Sequence, residues 1–172
     1  MALLQKIIAF MPEESRDQAL AVAGGAALLT GQKLSAVAMF GRGVYGLEKQ
    51  WRVRHPEFHG DFKARWAAAT SFYEQTHADP TNRTLHMVGI PLILGGAVGL
   101  LAAPRYSPPW VLAAGAFVGG WALNLVGHAK YEKNSPAFAE DPLSFVAGPV
   151  WDARQFARVM RKRAARAGMA PA

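Results

Sequence analysis

Asn82 and His86 stand four residues apart, and so do His128 and Glu132. On helices each pair occupies one face. Imidazole beside carboxylate suits a transition metal such as iron, and two ligands at this spacing can grip one ion from a single helix. His77 offers a third imidazole nine residues before His86. On one continuous helix those residues would be ~13 Å apart and on opposite faces. The dipeptide Asp79-Pro80 resolves this, because Asp is a good N-cap and Pro a good first helical residue. A helix that starts there leaves His77 able to fold back under Asn82 and Glu132. His77, His86 and His128 are therefore the candidate metal ligands, with Glu132 a ligand or outer partner and Asn82 an outer partner or cap. His55 and His59 repeat the four-residue spacing and could also grip a metal, but in an aromatic, charged stretch such histidines are usually solvated or interfacial. The absence of cysteine excludes thiolate nucleophiles, disulfides and zinc–thiolate sites. Phosphate-binding glycine loops, nucleophile elbows and paired catalytic carboxylates are missing too.

Two apolar segments must position these side chains. Leu85 to Ala103 contains only His86 as a polar residue, and Trp110 to Gly127 only Asn124. Each approaches the ~20 residues a helix needs to cross a bilayer. The linker Pro104 to Pro109 permits only a tight antiparallel return, and its prolines end one helix and open the next. In such a hairpin, residues equally distant from the turn meet. His86 lies 18 residues before Pro104 and His128 lies 19 after Pro109, while Asn82 and Glu132 lie at 22 and 23. Four polar side chains thus converge at the open mouth. The same counting places Gly95 and Gly99 level with Gly119 and Gly115, the small-residue spacing that lets helices approach closely in lipid.

The fold class expected is all-α: a helical membrane protein with a central antiparallel transmembrane hairpin and short interfacial helices, two of them at Ala19 to Leu29 and Leu34 to Leu47. Pro142 to Trp151 reads as a re-entrant or interfacial piece, followed by a basic amphipathic tail. From Asp152 onward six Arg or Lys face one acid, a strip suited to anionic lipid headgroups rather than nucleic acid. The N-terminal run has no basic start or small-residue cleavage site, so no removable leader is expected. Lys63, Arg65 and Arg83 precede the hairpin, Lys130, Lys133 and the tail follow it, and its loop carries only Arg105. That bias puts both termini in the cytoplasm of an integral membrane protein, in a bacterial inner membrane or an endoplasmic reticulum. The rival is a soluble bundle with two buried helices. Oligomeric state is not legible.

At these residues the chain resembles a family of small membrane proteins whose characterised member is an iron(II)-dependent 2-hydroxy fatty acid dioxygenase of α-oxidation. The matching blocks are FYEQTHADPTNRTLHMVGIP and VGHAKYEKNSPAFAEDPLSFVAGP, which carry the family's pattern at Phe72, Tyr73, His77, Pro80, Asn82, His86 and Pro91, then at Gly127, His128, Glu132, Pro136, Ala137, Pro142, Leu143 and Pro149. The resemblance divides the chain into an extension of unknown role (1–64), a dioxygenase-like membrane domain (65–156) and the tail (157–172). It implies Fe(2+) on His77, His86 and His128, with Glu132 and Asn82 as catalytic residues. Arg83, Lys130, Tyr73 and Tyr131 are then the candidates for binding substrate. The partners it implies are a 2-hydroxy fatty acid, O2 and membrane lipid, with the products CO2 and a fatty acid one carbon shorter. Some family members have a longer apolar middle and often a glutamine where Asn124 stands. Two competing possibilities are a haem protein using two of the histidines and a non-enzymatic membrane hairpin.

Overall fold

Six α-helices, one π-helical turn and one 3-10 turn make up residues 13–166, the part of the chain that the computed structural model describes. The helices are α1 (Glu13–Leu29), α2 (Lys33–Arg54), α3 (Phe62–Gln75), α4 (Pro80–Ala102), α5 (Pro108–Val126) and α6 (Ser144–Arg166). The π turn, Gly127–Glu132, prolongs α5, and the 3-10 turn, Ala137–Ala139, precedes α6. No strand occurs among the described residues, so the all-α expectation holds. The leader expectation rests partly on residues 1–12, which lie outside the described residues, as does the end of the tail, 167–172.

The pair α4 and α5 positions everything else. α4 starts where Asp79-Pro80 predicts: the Asp79 carboxylate accepts from the Thr81 and Asn82 amides at 2.7 and 3.0 Å, and Pro80 is the first helical residue. α4, and α5 together with its π turn, are each long and apolar enough to cross a membrane. Partner numbers fall along α5 as they rise along α4: Gly89 abuts Gly120 and Asn124, and Gly96 abuts Ala113 and Phe117. The two helices therefore run antiparallel.

Of the four glycines predicted for the close approach only Gly99 takes part, where an added Cβ would lie 2.7 Å from the Ala113 Cβ. Carbons added at Gly95, Gly115 or Gly119 would meet nothing within 4 Å, whereas Gly89, Gly96 and Gly120 face the partner's backbone. Counting from the turn fixes height but not azimuth, and one residue rotates a helix face by about 100°. A Cβ at Gly96 would lie 2.6 Å from the Phe117 amide nitrogen and 2.7 Å from the Ala113 carbonyl oxygen, atoms that cannot move without parting the helices. Gly96→Ala is expected to lower unfolding free energy by about 1–3 kcal/mol through overpacking. Gly95→Ala should be neutral or raise it by up to about 1 kcal/mol. Equilibrium unfolding of the two variants in detergent checks the contrast.

α1 and α2 are longer than the two short helices expected; they pack on each other and meet α4 and α5 near the α4–α5 turn. Their turn is a Schellman stop: Gly31 takes φ +74°, its amide donates to Leu28, and Gln32 donates to Ala27. At that end Ala27, Leu28 and Ala36 pack with Leu100, Trp110 and Ala113, and Lys33 Nζ donates to the Ala103 carbonyl at 2.7 Å. At the other end Glu48 receives Arg65 from α3. The predicted re-entrant piece and basic tail are one helix, because α6 continues through Pro149. Its first half is buried at Ala147, Gly148, Trp151 and Asp152, and the basic residues lie on its exposed second half.

Candidate metal centre

Three imidazoles from three different elements meet where α4 and α5 diverge. His77 comes from the link between α3 and α4, His86 from α4, and His128 from the π turn. Their exposures are 2, 3 and 3%. The ring centroids are 4.6, 4.8 and 4.9 Å apart, with interplanar angles of 81–89°. One ring nitrogen from each falls within 4.8 Å of the other two. This is the only such group of His, Asp or Glu among the described residues.

On each ring, Nδ1 is committed to an oxygen. His77 Nδ1 lies 2.8 Å from the Tyr73 carbonyl, His86 Nδ1 3.0 Å from the Asn82 carbonyl, and His128 Nδ1 2.7 Å from Asn134 Oδ1. These oxygens only accept, so Nδ1 carries the proton and the Nε2 lone pair is left for a ligand. Burial, and after it the neighbouring His86, lowers the His77 pKa to about 3, which keeps that ring neutral as ligation requires. Neutral imidazoles fixed in this way by outer hydrogen bonds fit a divalent transition ion of the iron, copper, nickel or zinc type. Ring centroids this close leave no slot for a porphyrin between two of them.

Local sequence explains each placement. Thr76 closes α3, with its hydroxyl on the Phe72 carbonyl, and the chain turns back so that His77 stacks on Tyr73 at 3.8 Å. Tyr73 is held in turn by Asp152 of α6, its hydroxyl 2.6 Å from the carboxylate. Burial raises the Asp152 pKa to about 6, with the Tyr73 hydrogen bond acting the other way. His128 projects from the π turn, a helical irregularity common at functional sites. Lys133, left-handed at φ 58°, ends that turn with its amide on the His128 carbonyl at 2.7 Å. A Cβ at Gly127 would strike Asn82 Oδ1, so the glycine lets the π turn close on α4.

The other predicted residues divide clearly. Glu132 is tied to α4, where Oε1 accepts from the Asp79 amide at 2.7 Å and from Asn82 Nδ2 at 3.2 Å, and it is not part of the histidine group. Asn82 is wholly buried between Glu132 and His86. Tyr73 lines the cavity at the cluster, but Arg83, Lys130 and Tyr131 do not. Arg83 lies 4.6 Å over the Trp151 ring, and Lys130 sits 5.6 Å from the exposed Tyr131 ring. His55, at the C-terminal cap of α2, donates from Nδ1 to the Trp51 carbonyl at 2.8 Å and stacks on the Trp51 ring, and it is not part of the histidine group. Sequence reasoning missed Asn134 and Asp152. Neither stands at a helical spacing that would flag it, since a π turn and a chain reversal bring them in.

The cavity beside the histidines measures ≈ 60 Å³, room for a few waters. Trp121, Phe138 and Phe145 form an aromatic wall, with centroids 5.7–6.3 Å apart. Its far end reaches Leu94 and Leu125, which line the cavity and are also 46 and 50% exposed. The arrangement is a buried nitrogen-ligand site beside a small, mainly apolar cavity whose lining also includes the half-exposed Leu94 and Leu125. Residues 63–160 match the family model described as "Mpo1-like: 2-hydroxy-palmitic acid dioxygenase Mpo1-like". No curated protein and no solved structure matches the chain.

Proposed function

Since the chain belongs to the Mpo1-like family, we propose that it is an iron(II)-dependent dioxygenase acting on a 2-hydroxy fatty acid. The reaction takes one 2-hydroxy acid and one O2 to a fatty acid one carbon shorter, CO2 and water. The observation that carries this is the buried His77, His86 and His128 group in the lining of a mainly apolar cavity. Iron(II) bound there would bring the substrate's head and O2 together and accept electron density from the carbon that is oxidised.

The chain's own residues supply the rest. The three Nε2 atoms hold the ion, and the Tyr73 and Asn82 carbonyls and Asn134 Oδ1 fix the rings. Tyr73 stacks on His77 and keeps the residue outside the helix in place. Trp121, Phe138 and Phe145 keep water from the reacting head, and the acyl tail leaves the small cavity between Leu94 and Leu125. Glu132 and Asn82 act from behind by tying the π turn to the start of α4.

An amphiphilic substrate fits a site at the edge of a bilayer. In this proposal α4 and α5 cross the membrane, with Lys63, Arg83, Lys130, Lys133 and the basic half of α6 on the cytoplasmic side and Arg105 at the opposite turn. The head of the acid then lies near the headgroup layer and its tail in lipid.

The test is elemental analysis of the purified protein together with product analysis on 2-hydroxyhexadecanoate. The expected result is bound iron, and pentadecanoate with CO2 formed in air but not under nitrogen. Product formed under nitrogen, or turnover by protein containing no iron, would overturn the proposal.

A further inference from the structure

The function proposed above leaves the second half of α6 without a task. From Ala153 to Arg166 every side chain is exposed or half-buried, so this part of the helix leaves the bundle. Its surface is sorted by chemistry. At about 100° per residue, Phe156, Val159 and Met160 fall on one side of α6, and Val146 of the first half falls on the same side. These four are 51, 44, 47 and 47% exposed. The residues that α6 buries against the bundle, among them Ala147, Gly148 and Trp151, occupy a different side. The apolar stripe is therefore not a continuation of the core seam, and no described residue covers it.

The charges select what covers it. Arg154, Arg158, Arg161 and Lys162 lie opposite the stripe, Arg163 stands within it and Arg166 at its edge, and no acid stands between Ala153 and Arg166. The same helix of a second copy would repel it. A nucleic acid would take the cations but leave Phe156, Val159 and Met160 in water. An anionic bilayer surface satisfies both faces. The apolar side chains enter the acyl boundary, and the long stems of Arg163 and Arg166 lift their charges to the headgroups. The far cations, a helix diameter of ~10 Å away, still lie about a Debye length from the phosphates. Such a surface is also within reach, because Trp151 of α6 packs under Arg83 at the start of α4, the end that the proposed function places at the cytoplasmic headgroup layer.

We propose that the second half of α6 is a docking surface for anionic phospholipid: it lies along the cytoplasmic leaflet, with Phe156, Val159 and Met160 in the acyl boundary and its arginines and Lys162 held by lipid phosphates. This rests on the placement of α4 and α5 across the membrane given under the proposed function. A basic strip alone would be drawn to the surface by charge and remain in water. The half-exposed stripe adds insertion, which places one side of the helix in an apolar medium and leaves the other wet.

The chain contains no cysteine, so a single introduced one can carry an environment-sensitive dye. Full-length protein with Met160→Cys, Ala165→Cys or Val98→Cys is labelled and placed in vesicles of phosphatidylcholine alone or of phosphatidylcholine with phosphatidylglycerol. Ala165 is turned about 140° from Met160, and Val98 is 65% exposed on α4. With phosphatidylglycerol, emission from position 160 is expected to shift to the blue and to be quenched by acyl-chain nitroxides, while position 165 stays as in water. In phosphatidylcholine alone position 160 should stay as in water too. Adding Arg158→Gln or Lys162→Gln should lower partition of the labelled helix by roughly fivefold for each charge removed. Position 98 should be quenched in both kinds of vesicle. No shift at 160 with 98 quenched overturns the lipid surface and leaves an acidic protein as the occupant. Equal shifts at 160 and 165 overturn the stripe, and a full shift without phosphatidylglycerol overturns the part of the cations. An unquenched dye at 98 would instead overturn the membrane placement of α4, which separates the two failures.

Discussion

Glutamine at His77, His86 or His128 will each strip the protein of its metal and abolish turnover, whereas glutamine at Glu132 will leave metal content unchanged. The four residues look alike in the sequence as polar groups near the hairpin mouth, but the structure separates them. The three histidines share one space, with ring centroids 4.6–4.9 Å apart. Glu132 is spent on the Asp79 amide and Asn82 Nδ2, both of which a glutamine oxygen can still accept from. Losing an outer hydrogen-bond partner typically costs 10–100-fold in metal affinity. Losing one of three ligands should exceed ~100-fold, and turnover should fall with it. Metal content and activity of the four variants, with His59→Gln as a neutral control, check this. Retained metal in any of the three histidine variants would remove that residue from the ligand set.

Removing Arg65 should cost about 3–5 kcal/mol of stability, the penalty for leaving a buried charge without its partner. Arg65 is 1% exposed. Its guanidinium forks onto Asp141 at 2.7 and 2.9 Å, meets Glu48 at 2.8 and 3.0 Å, and lies 3.6 Å over the Trp51 ring. Burial opposes the charge, but the bonds from Asp141 and Glu48 outweigh it and hold the guanidinium pKa above its usual value. Asp141 also accepts from the Leu143 and Ser144 amides at the start of α6, so this one residue couples α2 and α3 to the helix that carries Phe145 and Asp152. Arg65→Met should unfold at markedly lower denaturant concentration than wild type. Arg65→Lys should fall between them, because a point charge cannot serve two carboxylates in fork geometry. Adding Asp141→Asn to Arg65→Met should recover part of the loss, since the uncompensated charge is then gone. An Arg65→Met variant as stable as wild type would show that the buried ion cluster contributes nothing net.

Arg65 also marks a limit of the sequence. Counted among the flanking cations it looks like a topology signal, and only the tertiary structure shows it neutralised by acids 17 residues before it and 76 after it. Lys33, next to the α1–α2 turn, is likewise occupied at the Ala103 carbonyl.

What the sequence determined by itself is local or follows from one simple symmetry. The Asp79-Pro80 start of α4, the proline-bounded turn and the apolar runs are set by short-range backbone preference and hydropathy. Matching distances from the turn then brings His86 to His128 and Asn82 to Glu132, because an antiparallel pair allows only one correspondence of heights. Everything that depends on rotation about a helix axis, or on chain far away, was decided by the tertiary structure. Gly89, Gly96 and Gly120 join Gly99 in the close contacts and Gly95, Gly115 and Gly119 do not, since equal height leaves the facing direction open. The π turn changes the residue count per turn at His128 and delivers Asn134 to its ring. His77 has no helix to place it: it is held by the Tyr73 carbonyl and ring, and through Tyr73 by Asp152, 79 residues further along the chain. A side chain outside regular structure takes its position from whatever packs on it, and no spacing in the sequence encodes that.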